Sequence, residues 1–208
     1  MLFLDADALS KLAHWNILPV LPQLLGIPWD QVATISSLRY RAMGAVSKPD
    51  KKLFHTSEAA QIAVDFIAKM ATCPSPSAEV VEAFSKVPQI DAGEAVLFSL
   101  VMAHSGSRLL TGDKRALRAL AKHELAANFD GKIICVEQIL KLALDMHGRE
   151  WLISSVGPQA QIDKAAAIIL GSRHDAPIEH IHEALGSYIT EMVGLKEPPM
   201  LWLLPGTA

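Results

Sequence analysis

Apolar and polar positions along this chain recur with two periods, and the places where the period changes mark out its elements. Leu2-Phe3-Leu4 is a short apolar run that stops at Asp5, the pattern of a buried strand. Ala8, Leu9, Leu12 and Ala13 follow at helical spacing, with Asp5 or Asp7 placed to cap that helix. Pro19 and Pro22 break the next apolar stretch, and Val32-Ala33-Thr34-Ile35 predicts a second strand. Ser36 or Ser37 then caps a helix to about Met43, residues 44–56 read as a polar loop, and Ser57 caps a helix carrying Ala60, Ile62, Ala63, Phe66, Ile67 and Met70. Beyond the turn CPSPS at 73–77, the pattern predicts a helix from Ala78 to Phe84, a strand over Val87–Ile90 and a helix over 91–104. Arg108 to Thr111 is a strand that Asp113 follows as the opening of a helix; Lys132 to Val136 is the last strand, followed by the helix EQILKLALDM. From about Gly148 only helical patterns remain, at 161–171 and 178–193, before the Pro-rich apolar tail PPMLWLLP.

Strands alternating with helices imply βαβ units on a mostly parallel sheet. The expected organisation is an α/β domain over residues 1–148 and a C-terminal helical extension over 149–208, whose apolar tail should pack on the domain or on a second copy. Half of the 208 residues are apolar and the mean hydropathy is +0.26, which provides a large core and excludes a disordered chain. No apolar run reaches the roughly 18 residues of a membrane span. The opening MLFLDADALSK carries acids where an export signal carries bases, and Cys73 and Cys135 have no metal-type spacing. A cytoplasmic, reducing location is therefore expected. The net charge of −3 excludes a basic coat for nucleic acid, so any binding of that kind must use local patches.

Three acids share a position in this pattern. Asp5, Glu94 and Asp113 each lie at the carboxyl end of a strand or in the first turn of a helix. In open parallel sheets ligands bind at that edge. Carboxylates gathered there repel one another, and a hard cation such as Mg²⁺ or Mn²⁺, which takes oxygen ligands, relieves the repulsion. Each acid also has a purely structural use. Asp91-Ala-Gly-Glu94 has the form of a capping box, and Asp113 can cap the helix it opens.

LFLDADAL, DAGEAVLFSLVMAHSGSRLLTGDKRAL and GKIICVEQIL, in that order, resemble the landmarks of the PIN-domain family over roughly residues 1–147. In that family an early Asp ends the first strand, a later acid opens an Ala-rich helix, and a strand further on ends in Thr-x-Asp. Asp5, Glu94 and Asp113 match those acids, with Thr111 as the accompanying hydroxyl. The resemblance implies a three-layer α/β/α sandwich, a site for Mg²⁺ or Mn²⁺, and hydrolysis of RNA phosphodiesters, often by the toxin of a toxin–antitoxin pair. A protein antitoxin or a homodimer partner is implied with it. The family's further acid, on the helix after the second strand, has no match: no Asp or Glu lies between Gln31 and Pro49. Asp91 is the candidate substitute ligand, and Arg39 or Arg41 is expected near the vacant position, where a guanidinium would grip a substrate phosphate.

Lys114 and Arg115, with Arg118 and Lys122, follow Asp113, and Lys48, Lys51 and Lys52 lie in the loop; they are candidate phosphate contacts or solvated surface. Two other functions compete. A phosphatase of the haloacid-dehalogenase type would use Asp5 as nucleophile and Asp7 as acid/base, with Ser36 as its hydroxyl and Gly112-Asp113 as its late motif, although Leu9 stands where that type carries Thr or Val. A non-catalytic PIN-like module would bind RNA or a protein and leave it intact.

Overall fold

The computed structural model describes residues 1–203; Leu204 and Pro205 of the apolar tail fall outside them. Strand β1 (Leu2–Leu4) leads into α1 (Ala6–His14), a short α2 (Leu21–Leu25) and β2 (Val32–Ala33). Then come α3 (Ser36–Ser47), α4 (Ser57–Ile67), α5 (Ala78–Ser85), α6 (Ala92–Ala103), β3 (Arg108–Thr111), α7 (Lys114–Leu120) and β4 (Ile133–Cys135). The chain continues through α8 (Val136–His147), α9 (Arg149–Val156), α10 (Lys164–Leu170) and α11 (Ile178–Val193). The strands form one parallel sheet in the order β2-β1-β3-β4, with Phe3 paired to Leu109 and Leu109 to Ile133.

The two-residue period of the strands divides the core. Leu2, Leu4, Val32, Leu110 and Ile134 face a cluster built with α1, α3, α4 and α8 to α10. Phe3, Ala33, Leu109, Ile133 and Cys135 face the opposite way, toward Phe84, Phe98 and Phe129 and the helices α5 to α7. The result is the three-layer α/β/α arrangement expected, with helices on both faces of a fully parallel sheet. The extension is built into these layers. Leu152, Val156, Ile169 and Leu185 join the first cluster and Ile189 and Met192 the second, while the Trp15 indole N–H donates to the Gln159 carbonyl at 3.1 Å. The tail lies along the outer edge of β4: the Ile133 N–H donates to Met200 O at 2.9 Å and the Trp202 N–H to Ile133 O at 2.7 Å. That pairing covers an edge that would otherwise expose free backbone groups. Among the described residues no helix is long and apolar enough to cross a membrane.

Three local expectations are corrected. Val87–Ile90 is a turn rather than a strand, because Pro88 lacks an N–H and Gln89 takes a φ of 71°, which no strand accommodates; Ile90 still buries its side chain. Residues 44–47 continue α3, and the loop that follows is not wholly polar, since Leu53 and Phe54 are buried. Thr56, not Ser57, caps α4, its hydroxyl accepting the Ala59 N–H at 3.1 Å.

Candidate functional site

The chain runs from β1 to β2 on one side and later to β3 on the other, so the order of the sheet reverses between β1 and β3. Helices after the two strands depart to opposite faces, which opens a crevice at the carboxyl ends of β1 and β3. Asp5 and Asp113 stand at those two ends.

Asp5 is 3% exposed. One carboxylate oxygen accepts the Ala8 N–H at 2.6 Å and so caps α1, and the other accepts the Thr111 hydroxyl. The Thr111 oxygen in turn accepts the Asp113 N–H at 3.1 Å, so Thr111 ties the two strand ends together. Its hydroxyl, expected to accompany the acids, is engaged inside the site. Burial, reinforced by the nearby Asp7 charge, pushes the Asp5 carboxyl up to about 7 against the two hydrogen bonds that oppose it.

Asp91 and Glu94 form the capping box of α6. The Glu94 N–H donates to Asp91 Oδ1 at 2.8 Å, and the Asp91 N–H donates to Glu94 Oε2 at 2.7 Å. This arrangement leaves Asp91 Oδ2 and Glu94 Oε1 without a hydrogen-bond partner among the described residues. Desolvation pushes the Glu94 carboxyl up to about 7 despite the Asp91 N–H, and the Asp91 and Asp113 charges add to the rise. Asp113 caps α7 through Oδ1, which accepts the N–H groups of Arg115 at 2.7 Å and Ala116 at 3.1 Å. Burial works against its ionisation, but those donors and the Arg115 guanidinium prevail and hold its carboxyl below the usual range.

These acids come together. Asp5, Asp7, Asp91, Glu94 and Asp113 line one cavity of about 340 Å³, closed on its other side by Ile35, Ser37, Leu38 and Arg41 of the β2–α3 junction and α3. Arg41 reaches it while paired to Asp50 at 2.6 Å. Arg39 points elsewhere, into a separate cavity with Thr34, Ser36 and Cys73. Lys114 is closed onto the buried Glu137 at 2.6 Å and over the Tyr188 ring at 4.1 Å. The Arg115 side chain, by contrast, is 81% exposed. Lys48, Lys51 and Lys52 line neither this cavity nor its neighbour.

Two residues that pattern reading did not join to these acids, Lys11 and Asp163, stand beside them. Lys11 bridges Asp7 and Asp163 at 2.6 Å each, tying α1 to the start of α10. Both carboxylates raise the Lys11 ammonium well above its ordinary range against the effect of burial. Gly112 allows the approach: a Cβ there would lie 2.2 Å from an Asp7 carboxylate oxygen and 3.0 Å from the Lys11 nitrogen. The i, i+4 spacing of Asp7 and Lys11 is a local signal for their pair. Nothing local signals Asp163, which only the packing of the extension brings near.

Oxygen donors, two of them unused, suit a hard cation in kind. Their arrangement is less complete, since among the described residues no three His, Cys, Asp or Glu side chains are grouped to hold a metal ion. Glu94 and Asp113 are both drawn toward helix N–H groups, and a cation would have to compete with those caps. No protein-family model, curated protein or solved structure matches this chain.

Proposed function

We propose that the protein is a divalent-cation-dependent hydrolase of RNA phosphodiester bonds, acting at the cavity lined by Asp5, Asp91, Glu94 and Asp113. One observation carries this reading: two carboxyls of that cavity, Asp5 and Glu94, are pushed up to about 7 in a space that opens at the reversal point of the sheet. Burial, more than mutual repulsion, raises them, and strongly raised carboxyls in a cleft favour functional over structural roles. Mg²⁺ or Mn²⁺, when bound, would supply charge neutralisation at a phosphoryl oxygen and activation of water. Asp5, Glu94 and Asp113 are the residues to hold it, with Asp91 Oδ2 beside them.

The chain's own groups have distinct tasks. Thr111 fixes the Asp5 carboxylate relative to the Asp113 backbone. Glu94, half-buried, keeps Oε1 clear of its cap and would offer that oxygen to the cation. Arg41 lines the same cavity from α3, where it can meet a phosphate after loosening from Asp50. The choice of RNA follows the resemblance to PIN-domain nucleases.

The experiment is to incubate the full chain with single-stranded RNA and, separately, a phosphomonoester, in Mn²⁺, Mg²⁺ or chelator. RNA cleavage that requires the cation is expected, with no release from the monoester. Release from the monoester would transfer Asp5 and Asp7 to the phosphatase reading; against that reading, Ser36 lines the cavity of Arg39 rather than that of Asp5. Binding of RNA without cleavage would establish the non-catalytic reading. One feature favours that second reading: a cation, Arg41, lines the cavity from α3, where the resembling family has an acid.

A further inference from the structure

A second, larger cavity of about 770 Å³ adjoins the first and shares Asp7 and Asp113 with it. One wall comes from α1 and the β3–α7 junction, through Lys11, Gly112, Lys114 and Arg115. The other comes wholly from the extension, through Asp163, Lys164, Ala165, Ile168 and Tyr188. Its volume lies within the roughly 300–1,000 Å³ range of ligand clefts.

The charges in this cleft are unequally free. Lys11 is held between Asp7 and Asp163, and Lys114 is held by Glu137 and the Tyr188 ring. Arg115 keeps only a 3.2 Å contact to Asp113 through one terminal nitrogen. Lys164 has no ion pair or side-chain hydrogen bond among the described residues. Lys164 is thus open to an anion on one wall, and on the other the Arg115 side chain, 81% exposed, can reach one while paired to Asp113. Ile168 lies one helical turn beyond Lys164 on α10, so both project from one face, and it is 52% exposed although apolar. An anion-binding head beside an apolar patch matches a nucleotide, whose phosphate is charged and whose base presents a flat, weakly hydrated face.

We infer that this cleft is the strand-binding wall of the site: it takes the nucleotide next to the phosphodiester being cleaved, its phosphate on Arg115 and Lys164 and its base on Ile168. The inference rests on the nuclease reading for its orientation, and it makes the extension, with Arg115, part of what holds substrate. A cleft that opened only onto solvent would carry no such meaning; this one opens onto the carboxylates through Asp7 and Asp113.

The test is anisotropy of a labelled single-stranded RNA oligonucleotide with the full chain in chelator, where cation-dependent cleavage is silent. Lys164→Ala should raise Kd roughly fivefold near 0.1 M salt and flatten the slope of log affinity against log salt by about 0.7, the share of one phosphate contact on a single strand. Ile168→Asp should weaken binding about tenfold, and Ile168→Trp should strengthen it by adding a stacking face. Equal binding by the unmodified chain and all three variants overturns the inference. So does a weakening by Lys164→Ala that leaves the salt slope unchanged, or competition by a nucleoside monophosphate as strong as that by the oligonucleotide. Cation-dependent cleavage whose KM ignores Lys164→Ala and Ile168→Asp overturns the inference and leaves the nuclease reading standing. Binding that responds as expected in a protein that cleaves nothing supports the inference and removes the nuclease reading.

Discussion

Asp5 and Asp163 both cap helices by accepting the N–H of the alanine three residues on, at 2.6 Å and 2.9 Å, yet their proton affinities move in opposite directions. Asp5 rises to about 7 and Asp163 falls below its ordinary value. Burial raises both. The difference is the next partner: Asp163 has the Lys11 ammonium at 2.6 Å, whereas Asp5 has the neutral Thr111 hydroxyl. Glu94 and Asp113 repeat the contrast, since Glu94 has one backbone N–H and Asp113 adds a guanidinium to its two. Helix N–H dipoles alone fall short of what a desolvated carboxylate loses, and a full cation makes up the remainder. The small cavity therefore still wants positive charge, whereas in the large cleft Asp113 and Asp163 are matched and Asp7 stays raised by burial despite Lys11 at 2.6 Å.

The contrast is broken most directly at Asp5. Asp5→Asn should lower cation-dependent RNA cleavage about a thousandfold, or roughly 4 kcal/mol of transition-state stabilisation. Cleavage at the unmodified rate would remove the small cavity from the chemistry. The next effect is steric. Gly112→Ala places a methyl where the Asp7 carboxylate lies and should cost about 1–3 kcal/mol, read as a lower urea midpoint at unchanged slope. An unshifted midpoint would mean that Asp7 and Lys11 swing aside freely.

Asp163 separates capping from charge. Asp163→Ala removes the cap of α10 and one partner of Lys11, and should cost about 1–2 kcal/mol. Asp163→Asn keeps an acceptor for the Ala166 N–H and should cost less. Equal losses in thermal melts would show that the pair with Lys11 outweighs the cap.

The smallest effect expected is a dependence of stability on pH in metal-free protein. Asp5 and Glu94 keep protons when folded that they have released when unfolded, so their contribution is full below the ordinary carboxyl range and is lost as pH rises through about 7. Asp113 and Asp163 act oppositely: their contribution is present above the ordinary range and is lost as pH falls through their lowered values. Between pH 4 and 8 the first pair should prevail, with the melting temperature falling by a few degrees. Asp5→Asn should flatten that fall, and Mn²⁺ should reverse it. A melting temperature that rises across this interval in both proteins would contradict the assignment of Asp5 and Glu94 as the unmatched pair.

Much of the architecture was legible in local pattern. Leu2–Leu4 and Arg108–Thr111 were expected as strands and are strands, and residues 178–193 form the helix their spacing predicts. Apolar residues at a fixed period have few ways to leave water, so the period specifies the element. Val87–Ile90 misled because Val87 and Ile90 at its two ends do not specify a strand, and Pro88 and Gln89 turn the chain there. Helix α9 escaped notice for a related reason: Leu152 and Val156 are its buried residues, too few for a period to stand out.

The acids divide in the same way. That Asp5, Glu94 and Asp113 are acids placed at strand and helix ends is written in the chain, because capping and strand termination are short-range matters. The sequence by itself also determined that Asp91 and Glu94 would satisfy each other's N–H groups three residues apart. Which carboxylates would meet a cation was decided only by the tertiary structure. Lys11 finds Asp163 because the extension packs against α1, and Arg41 lines the cavity while Arg39 does not because α3 sets its facing against the sheet. Electrostatic interaction depends on distance and burial in space. Both quantities arise when the layers close on one another, and no spacing along the chain encodes them.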